Sequence, residues 1–354
     1  MGEVSVSLVA VLLAVSEETP LVLTLQGSRL LPSGPLEEQL YSLQAGMRQW
    51  VERQTGHKLG HIEQLYTFYS PSDHYSHHCN SHGNDHDTHQ HGSGVGNLAG
   101  SSSILASYLE SAGEVGQNKA QLSELQQSKS AERTSLIMVS YLALTRIRKS
   151  EKGWQSWYAF FPWEDQTTKM GQEILRLVCE KLELWLNTYH ANDSALYQRY
   201  CLTMGQYGLL WDDELVLQRY ELLYEAGLIE ESCFKRDGET LVPGLAMDFD
   251  HRRILATGIA RLRVKIRYRP VVFELMPKVF TLLDLQNVVE KVAGRKIHKQ
   301  NFRRLLTQQS LVEETGESVQ KSKGRPAKLF RFKREVVDLR QVSGTKLPIL
   351  KSRL

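Results

Sequence analysis

The stretch from Phe273 to Val336 brings periodicity, turn chemistry and charge together, and few folds satisfy all three. Thr281 can cap a helix whose apolar residues Leu282, Leu285, Val288, Val289 and Val292 recur at helical spacing. Asp284 stands three residues inside as a weaker capping-box acid, and Gly294 is placed to end the helix. A second helix is predicted from about Lys299 to Gln309, with Phe302, Leu305 and Leu306 on one side and Lys299, Gln300, Arg303 and Arg304 on the other. The period then changes to two. Leu311 to Glu314 and the alternation "AKLFRF" from Ala327 to Phe332 are joined by a polar loop holding Gly316, Lys321, Lys323, Gly324 and Arg325. Helix, turn, helix and a hairpin with a basic tip is the pattern of a winged helix-turn-helix. The same order also serves packing and protein-contact modules, and a charge run alone can be a solvated face.

Charge separates those readings. From Arg261 to Leu354 there are 23 Lys and Arg against 8 Asp and Glu, a net of +15. The preceding 260 residues carry 20 basic and 32 acidic side chains, a net of −12, so the overall +3 conceals two opposite halves. A basic half built on this motif favours a polyanion partner.

The run "FTLLDLQNVVEKVAGRKIHKQNFRRLLTQQSLVEETGE", followed by "GRPAKLFRF", resembles the C-terminal winged helix of the Nudix-related transcriptional regulators of NAD metabolism, the NrtR-like group. It also resembles the NadQ-type variant found as an NAD-biosynthesis repressor in alphaproteobacteria. The resemblance covers the C-terminal region almost end to end. It implies that an N-terminal Nudix-like domain precedes the winged helix and senses a nucleotide.

At 354 residues the chain is long enough for two domains with their own cores. Its longest apolar run, Val4 to Val15, is too short to span a bilayer and follows an acidic start, so it reads as a buried strand. Cys79, Cys179, Cys201 and Cys233 lie far apart, which points to neither a disulfide framework nor a cysteine zinc site. A cytoplasmic protein with no membrane partner is expected.

Pro20 to Leu25 follows as a second strand, a loop with Pro32, Gly34 and Pro35 leads to a helix from about Leu36 to Gln54, and Ile62 to Tyr69 reads as another strand. This order resembles the front of a Nudix fold, in which glutamates on the helix after a glycine hold divalent metal against a pyrophosphate. With Gly34 as that glycine, Leu40 stands where the first glutamate belongs, Arg48 matches the motif arginine, Gln49 replaces the next glutamate, Glu52 matches, and Arg53 replaces the last. The final glycine is one place late, with Thr55 before Gly56. One carboxylate of four is too few for a Mg²⁺ site that must also position a nucleophile, and Arg53 would repel the cation. The resemblance therefore implies a degenerate Nudix box without catalytic residues. The alternative from residues alone is an amphipathic core helix in some other α/β domain.

Ser70 to Glu132 breaks the pattern and reads as an insertion. Seven of the 12 histidines fall between Asp73 and His91, including His74, His77, His78, His82 and His86. Such imidazoles capture transition metals opportunistically, but a segment of Ser, Asn, Gly and His has almost nothing apolar to fix a defined site. A strand pattern resumes at Ser135 to Ile147. Six aromatic residues follow within ten positions, Trp154, Trp157, Tyr158, Phe160, Phe161 and Trp163, ending in "FFPWED", again similar to the alphaproteobacterial regulators. These rings can stack on a nucleobase, with Arg29, Arg146 or Arg148 meeting its phosphates, or they can pack as core. Lys169 to Tyr268 reads as helical throughout and as a dimer interface.

The chain is thus expected to be a mixed α/β (α+β) protein. A Nudix-like α/β/α sandwich would occupy 1–165 with an insertion at 70–132, a helical connector 166–270, a winged helix-turn-helix 271–340 and a basic tail 341–354. The function implied is that of a transcriptional repressor of NAD biosynthesis, controlled by NAD, ATP or ADP-ribose, acting as a homodimer on palindromic double-stranded DNA. An active Nudix hydrolase with a nucleic-acid-binding appendage is the rival, and a regulator sensing metal through the histidines is a third reading. The DNA-facing set is Lys296, His298, Lys299, Gln300, Asn301, Arg303 and Arg304, with Lys323, Arg325 and Lys328 in the wing. The effector set is Arg29, Arg48, Glu52, Arg146, Trp157, Phe161 and Trp163.

Overall fold

The computed structural model describes residues 4–25, 27–36, 42–57, 59, 61–70, 135–147, 152–268, 271–320 and 326–333. Strand β1 (Val4–Val15) is the spine of the N-terminal half. It runs parallel to β5 (Ser135–Leu144), in register from Val4 opposite Ser135 to Leu13 opposite Leu144. It pairs antiparallel with both β2 (Pro20–Leu23) and β3 (Ser33–Pro35). The edges are β4 (Ile62–Ser70), antiparallel to β5, and β6 (Trp154–Ser156), antiparallel to β2, giving the order β4-β5-β1-β2-β6 with β3 off that path.

Because side chains alternate across a strand, β1 feeds two cores. Leu8, Ala10 and Leu12 pack with Met47, Trp50 and Val51 of helix α1 (Leu43–Thr55), whereas Val9, Val11 and Leu13 face the layer containing helix α5 (His251–Tyr268). Covered on both faces, β1 is apolar and buried at every position from Leu8 to Ala14, while the buried Ser7 donates its hydroxyl to the Gly34 carbonyl at 3.1 Å. Helix α5 lies close on β1 at Gly258, where an added Cβ would press into Val11. The expected α/β/α sandwich is present.

Its boundaries differ from expectation in three places. Helix α1 starts at Leu43, capped by the Ser42 hydroxyl accepting from Ala45 N–H, and not at Leu36. Leu36 is still extended, donating its N–H to the Val6 carbonyl. The span 169–268 is not helical throughout. Helices α2 (Lys169–Tyr189), α3 (Ser194–Met204) and α4 (Val216–Glu225) are followed by an irregular stretch through Asp250, in which Gly227, Gly238 and Gly244 all have positive φ. A sandwich ending at 165 would exclude α5, yet α5 packs on β1, β4 and β5 and supplies the second helical layer. Helices α2, α3 and α4 pack in succession, α2 against the Pro162–Glu164 turn and α4 against α5.

The C-terminal module consists of α6 (Leu282–Ala293), α7 (Lys299–Gln308), β7 (Val312–Val319) and β8 (Ala327–Phe332). Phe280 adds a bridge to Phe330 through N–H···O bonds of 3.0 and 2.8 Å, so the wing carries a third, one-residue strand. Gly316 lies in β7 at a register shift with φ +82°, not in the connecting loop.

Candidate nucleic-acid interface

Helix α6 begins on a complete capping box: the Thr281 hydroxyl accepts from Asp284 N–H at 3.2 Å and the Asp284 carboxylate accepts from Thr281 N–H at 3.0 Å. It ends at Gly294, whose φ of +70° is the left-handed cap. Two polar residues on its inner side shape the turn that follows. Glu290, 6% exposed, accepts from Ile297 N–H at 3.0 Å and from the Gln286 amide at 2.8 Å, and Gln286 also donates to the Ile297 carbonyl at 3.0 Å. Sequence reading overlooked both residues; their signal was a polar pair at i and i+4 within an apolar helix, the spacing of stacked neighbours.

That turn delivers α7. Phe302 and Leu306, one turn apart, are buried with Leu285, Val289 and Val292 of α6. Their burial turns the opposite side outward, and Lys299, Gln300, Asn301, Arg303, Arg304, Thr307 and Gln308 are all exposed. His298, at the N-cap, is exposed and makes no capping bond through its side chain. The face thus offers cations and amides together, and its first turn carries the positive end of the helix dipole. A helix of this kind suits a major groove, where amides pair with adenine edges and cations with guanine or phosphate.

The remaining residues expected to face DNA divide. Lys296 is exposed and pairs with Glu290 at 3.3 Å. Lys328 pairs across the hairpin with Glu314 at 2.9 Å, both side chains more than half exposed, a geometry that contributes little to stability and leaves the ammonium accessible to a phosphate. Lys323 and Arg325 lie outside the described residues, as do all the histidines between Asp73 and His91. Among the described residues no group of three or more His, Cys, Asp or Glu could hold a metal ion. Likewise, no described helix is long and apolar enough to cross a membrane.

The residues expected to hold an effector do not gather in one place. Trp157, Phe161 and Trp163 are each 0% exposed and sit in the core. Phe161 meets Trp163 and Tyr220 edge-on at 6.0 and 6.3 Å. Stacking on a nucleobase would need these rings withdrawn from a core where each contributes on the order of 3 kcal/mol by burial, so their role is packing. Arg48 and Glu52 lie on α1, with Arg48 donating to the Leu59 carbonyl at 2.8 Å and Glu52 exposed. Gly34, the glycine expected to open the Nudix-like motif, lies beneath the Trp50 indole, which any side chain there would strike. Arg29 forms a bidentate ion pair with Asp248 ahead of α5, and Arg146 donates to the Phe273 carbonyl at 3.2 Å.

The winged helix is not tethered loosely. Tyr158 donates its hydroxyl to the Lys291 carbonyl at 2.5 Å, Gln166 N–H donates to the Gly294 carbonyl at 2.7 Å, and Lys291 reaches the Glu17 carbonyl in the β1–β2 turn. Beneath them Glu164, 1% exposed, accepts from Arg219 at 2.5 and 3.0 Å and from Arg263 at 2.5 Å. Burial alone would raise the Glu164 carboxyl, but the two guanidiniums hold it below the usual carboxylate range. Arg263 also donates to the Val292 carbonyl at 2.8 Å, placing a cation at the negative end of α6.

Comparison with known proteins matches residues 272–332 to the NrtR DNA-binding winged helix domain. The ADPR responsive transcriptional repressor NtrR of Acinetobacter baylyi is 43% identical over 95 residues, which are 26% of this chain and 38% of that one. The chain thus spans well under half the length of that curated relative. Among solved structures, Shewanella oneidensis NrtR complexed with a 27mer DNA aligns with a TM-score of 0.45 at 17% identity, covering 96% of this chain and 99% of that one. A MutT/nudix family protein from Enterococcus faecalis aligns at 0.41 and 16%, covering 94% and 88%.

Proposed function

We propose that this chain is a DNA-binding transcriptional repressor of genes for NAD biosynthesis or homeostasis, controlled by an adenine nucleotide and without hydrolytic activity. The observation that carries the reading is the exposed amide and cation face of α7, set by buried Phe302 and Leu306 inside a segment matched to a DNA-binding winged helix. The basic charge of the same third of the chain adds the sequence-independent attraction that such a module needs. A single module buries too little surface for tight specificity, so the working form is a homodimer on palindromic double-stranded DNA in the cytoplasm.

The Acinetobacter relative is named for its response to ADP-ribose, which puts that compound first as effector, with NAD and ATP next. The "FFPWED" motif favours the NadQ-type branch within the NrtR-like group. Arg48 and Glu52, one turn apart on α1, are the polar groups proposed to meet the nucleotide, whereas Arg29 and Arg146 are held by Asp248 and the Phe273 carbonyl. Glu52 alone stands at a metal-binding position of the motif, and one carboxylate supports binding better than hydrolysis.

The test has two arms. A duplex selected by the protein from a random-sequence pool should prove palindromic and should bind with an affinity that changes when ADP-ribose is added. Incubation with Mg²⁺ and ADP-ribose should give no turnover; turnover abolished by Glu52→Gln would establish the hydrolase instead.

A further inference from the structure

Helix α2 carries two apolar sides, and the rest of the described chain covers one of them. Val178, Leu182, Trp185 and Leu186 are buried on the inner side. Met170, Leu177 and Leu184 recur at seven-residue spacing on another side and are 71, 37 and 67% exposed. Half-buried Ile174 and Lys181 fall between them, at alternating steps of four and three residues. This is the seam by which one helix meets another: Met170, Leu177 and Leu184 hold one core position of the heptad, and Ile174, Lys181 and Thr188 hold the other. Glu173 and Glu180 flank the seam, and both are exposed. Single exposed apolar residues are ordinary, but three in heptad register along a 21-residue helix form a line about 20 Å long.

We propose that this side of α2 docks on the same side of a second copy of the chain, the two helices lying antiparallel across a two-fold axis. Charge selects both the occupant and the direction. In a parallel pair, Lys181 would meet the partner's Lys181. In a fully overlapping antiparallel pair, Ile174 meets the partner's Leu184, and Leu177 meets the aliphatic stem of the partner's Lys181. The ammonium of that lysine then lies between Glu173 and Glu180, which stand one turn to either side of Leu177. The seam complements itself, as an interface between identical copies must. It lies outside residues 272–332, so the joint between copies is separate from the DNA-reading module. One helix pair stays at the low end of interface size, under about 1,200 Å², which makes the free dimer a weak one, in the micromolar range, that two half-sites on one duplex would reinforce.

This surface rests on the homodimer reading above and gives it a place; sedimentation of the full chain without DNA tests it apart from DNA binding. Wild type should show monomer and dimer in exchange. Leu184→Glu, at a side chain already two-thirds solvated, should weaken the dimer by about tenfold or more and leave the thermal midpoint unchanged. Lys181→Glu should weaken it by about fivefold or more, and Glu173→Lys added to it should recover most of that loss, because the exchanged charges pair again across the axis. Should the midpoint of Leu184→Glu fall, the charge exchange alone decides. A dimer that survives Leu184→Glu, or a Lys181→Glu loss that Glu173→Lys does not recover, would overturn the antiparallel face and leave the homodimer reading standing. A wild type that stays monomeric to about 100 μM would overturn both, and dimerisation of that monomer on deletion of 71–134 would make that segment the occupant instead. Failure to select a duplex would count against DNA binding alone, with sedimentation still deciding the face.

Discussion

Arg263 and Glu164 are joined at 2.5 Å inside the protein, both 1% exposed, and through Arg263 Nε the same contact reaches the Val292 carbonyl of the winged helix. Glu164 also serves Arg219, whose guanidinium lies 3.7 Å from the centre of the Trp211 ring. Replacing the carboxylate strands two buried cations at once, which is worse than exchanging a whole pair for apolar groups. Glu164→Gln should destabilise the protein by about 3 to 5 kcal/mol. A urea melt reads the loss, and a midpoint within error of wild type would show that the cluster carries no net stability.

His251 supplies a pH-dependent prediction. It is fully buried, its Nδ1 accepts from Leu31 N–H at 2.8 Å, and burial holds its pKa down to about 4. An unfolded histidine takes a proton near pH 6.5 whereas this one resists until about 4, so the unfolded state binds more protons between those values. Stability from this group is therefore fully present above pH 6.5 and is lost as the pH falls towards 4, by on the order of 3 kcal/mol. His251→Asn keeps an acceptor for Leu31 and removes the titration. Thermal melts at pH 7 and pH 5 should converge in the variant relative to wild type; an equal acid-induced drop in both would assign it to other groups.

Two glycines with left-handed backbone separate strain from collision. Gly316 has φ +82° and open space around it, so Gly316→Ala should cost about 1 kcal/mol, the conformational penalty alone. Gly294 has φ +70°, and a Cβ there would run into the Glu164 carbonyl oxygen and crowd Arg263 and Tyr158. Gly294→Ala should cost severalfold more and should also weaken operator binding by displacing the docked module. Equal losses in the two variants would place the effect in the backbone and leave the docking contact without consequence.

Local signals were enough to find the winged helix. Thr281, Asp284, Gly294 and the Phe302 and Leu306 pair are each determined by neighbours within a turn or two, and all fall where the sequence puts them. The docking cluster was not legible, because Glu164, Arg219 and Arg263 are far apart in the chain, and a charged residue in a sequence looks the same whether solvated or buried. Charge usage favoured the solvated reading. The aromatic run left a choice between core and ligand platform, since ring identity does not reveal which face is covered; the burial of Trp157, Phe161 and Trp163 decides for core. Helix α5 was mistaken for a connector because its apolar stripe shows that it packs but not on what.

The exposed face of α7 and the wing should differ in how they use DNA. Phosphate contacts release counterions, so losing one weakens binding to every sequence and lowers the salt slope by about one unit. A base contact instead discriminates at one position by on the order of 1 to 3 kcal/mol and leaves non-specific binding nearly unchanged. Gln300 and Asn301 stand exposed in the first turn of α7, where a helix entering the major groove brings its residues to base edges. Gln300→Ala and Asn301→Ala should therefore narrow the gap between a selected duplex and a scrambled one of equal length. The basic wing residues Lys323 and Arg325 are expected at phosphates, and Lys323→Ala and Arg325→Ala should weaken both duplexes alike with a shallower salt dependence. Arg325 follows Gly324, and entry of its guanidinium into a narrow minor groove would give it a share of shape reading. Salt titrations of the four variants on both duplexes separate these roles; identical behaviour in all four would refute the division between reading by the helix and anchoring by the wing.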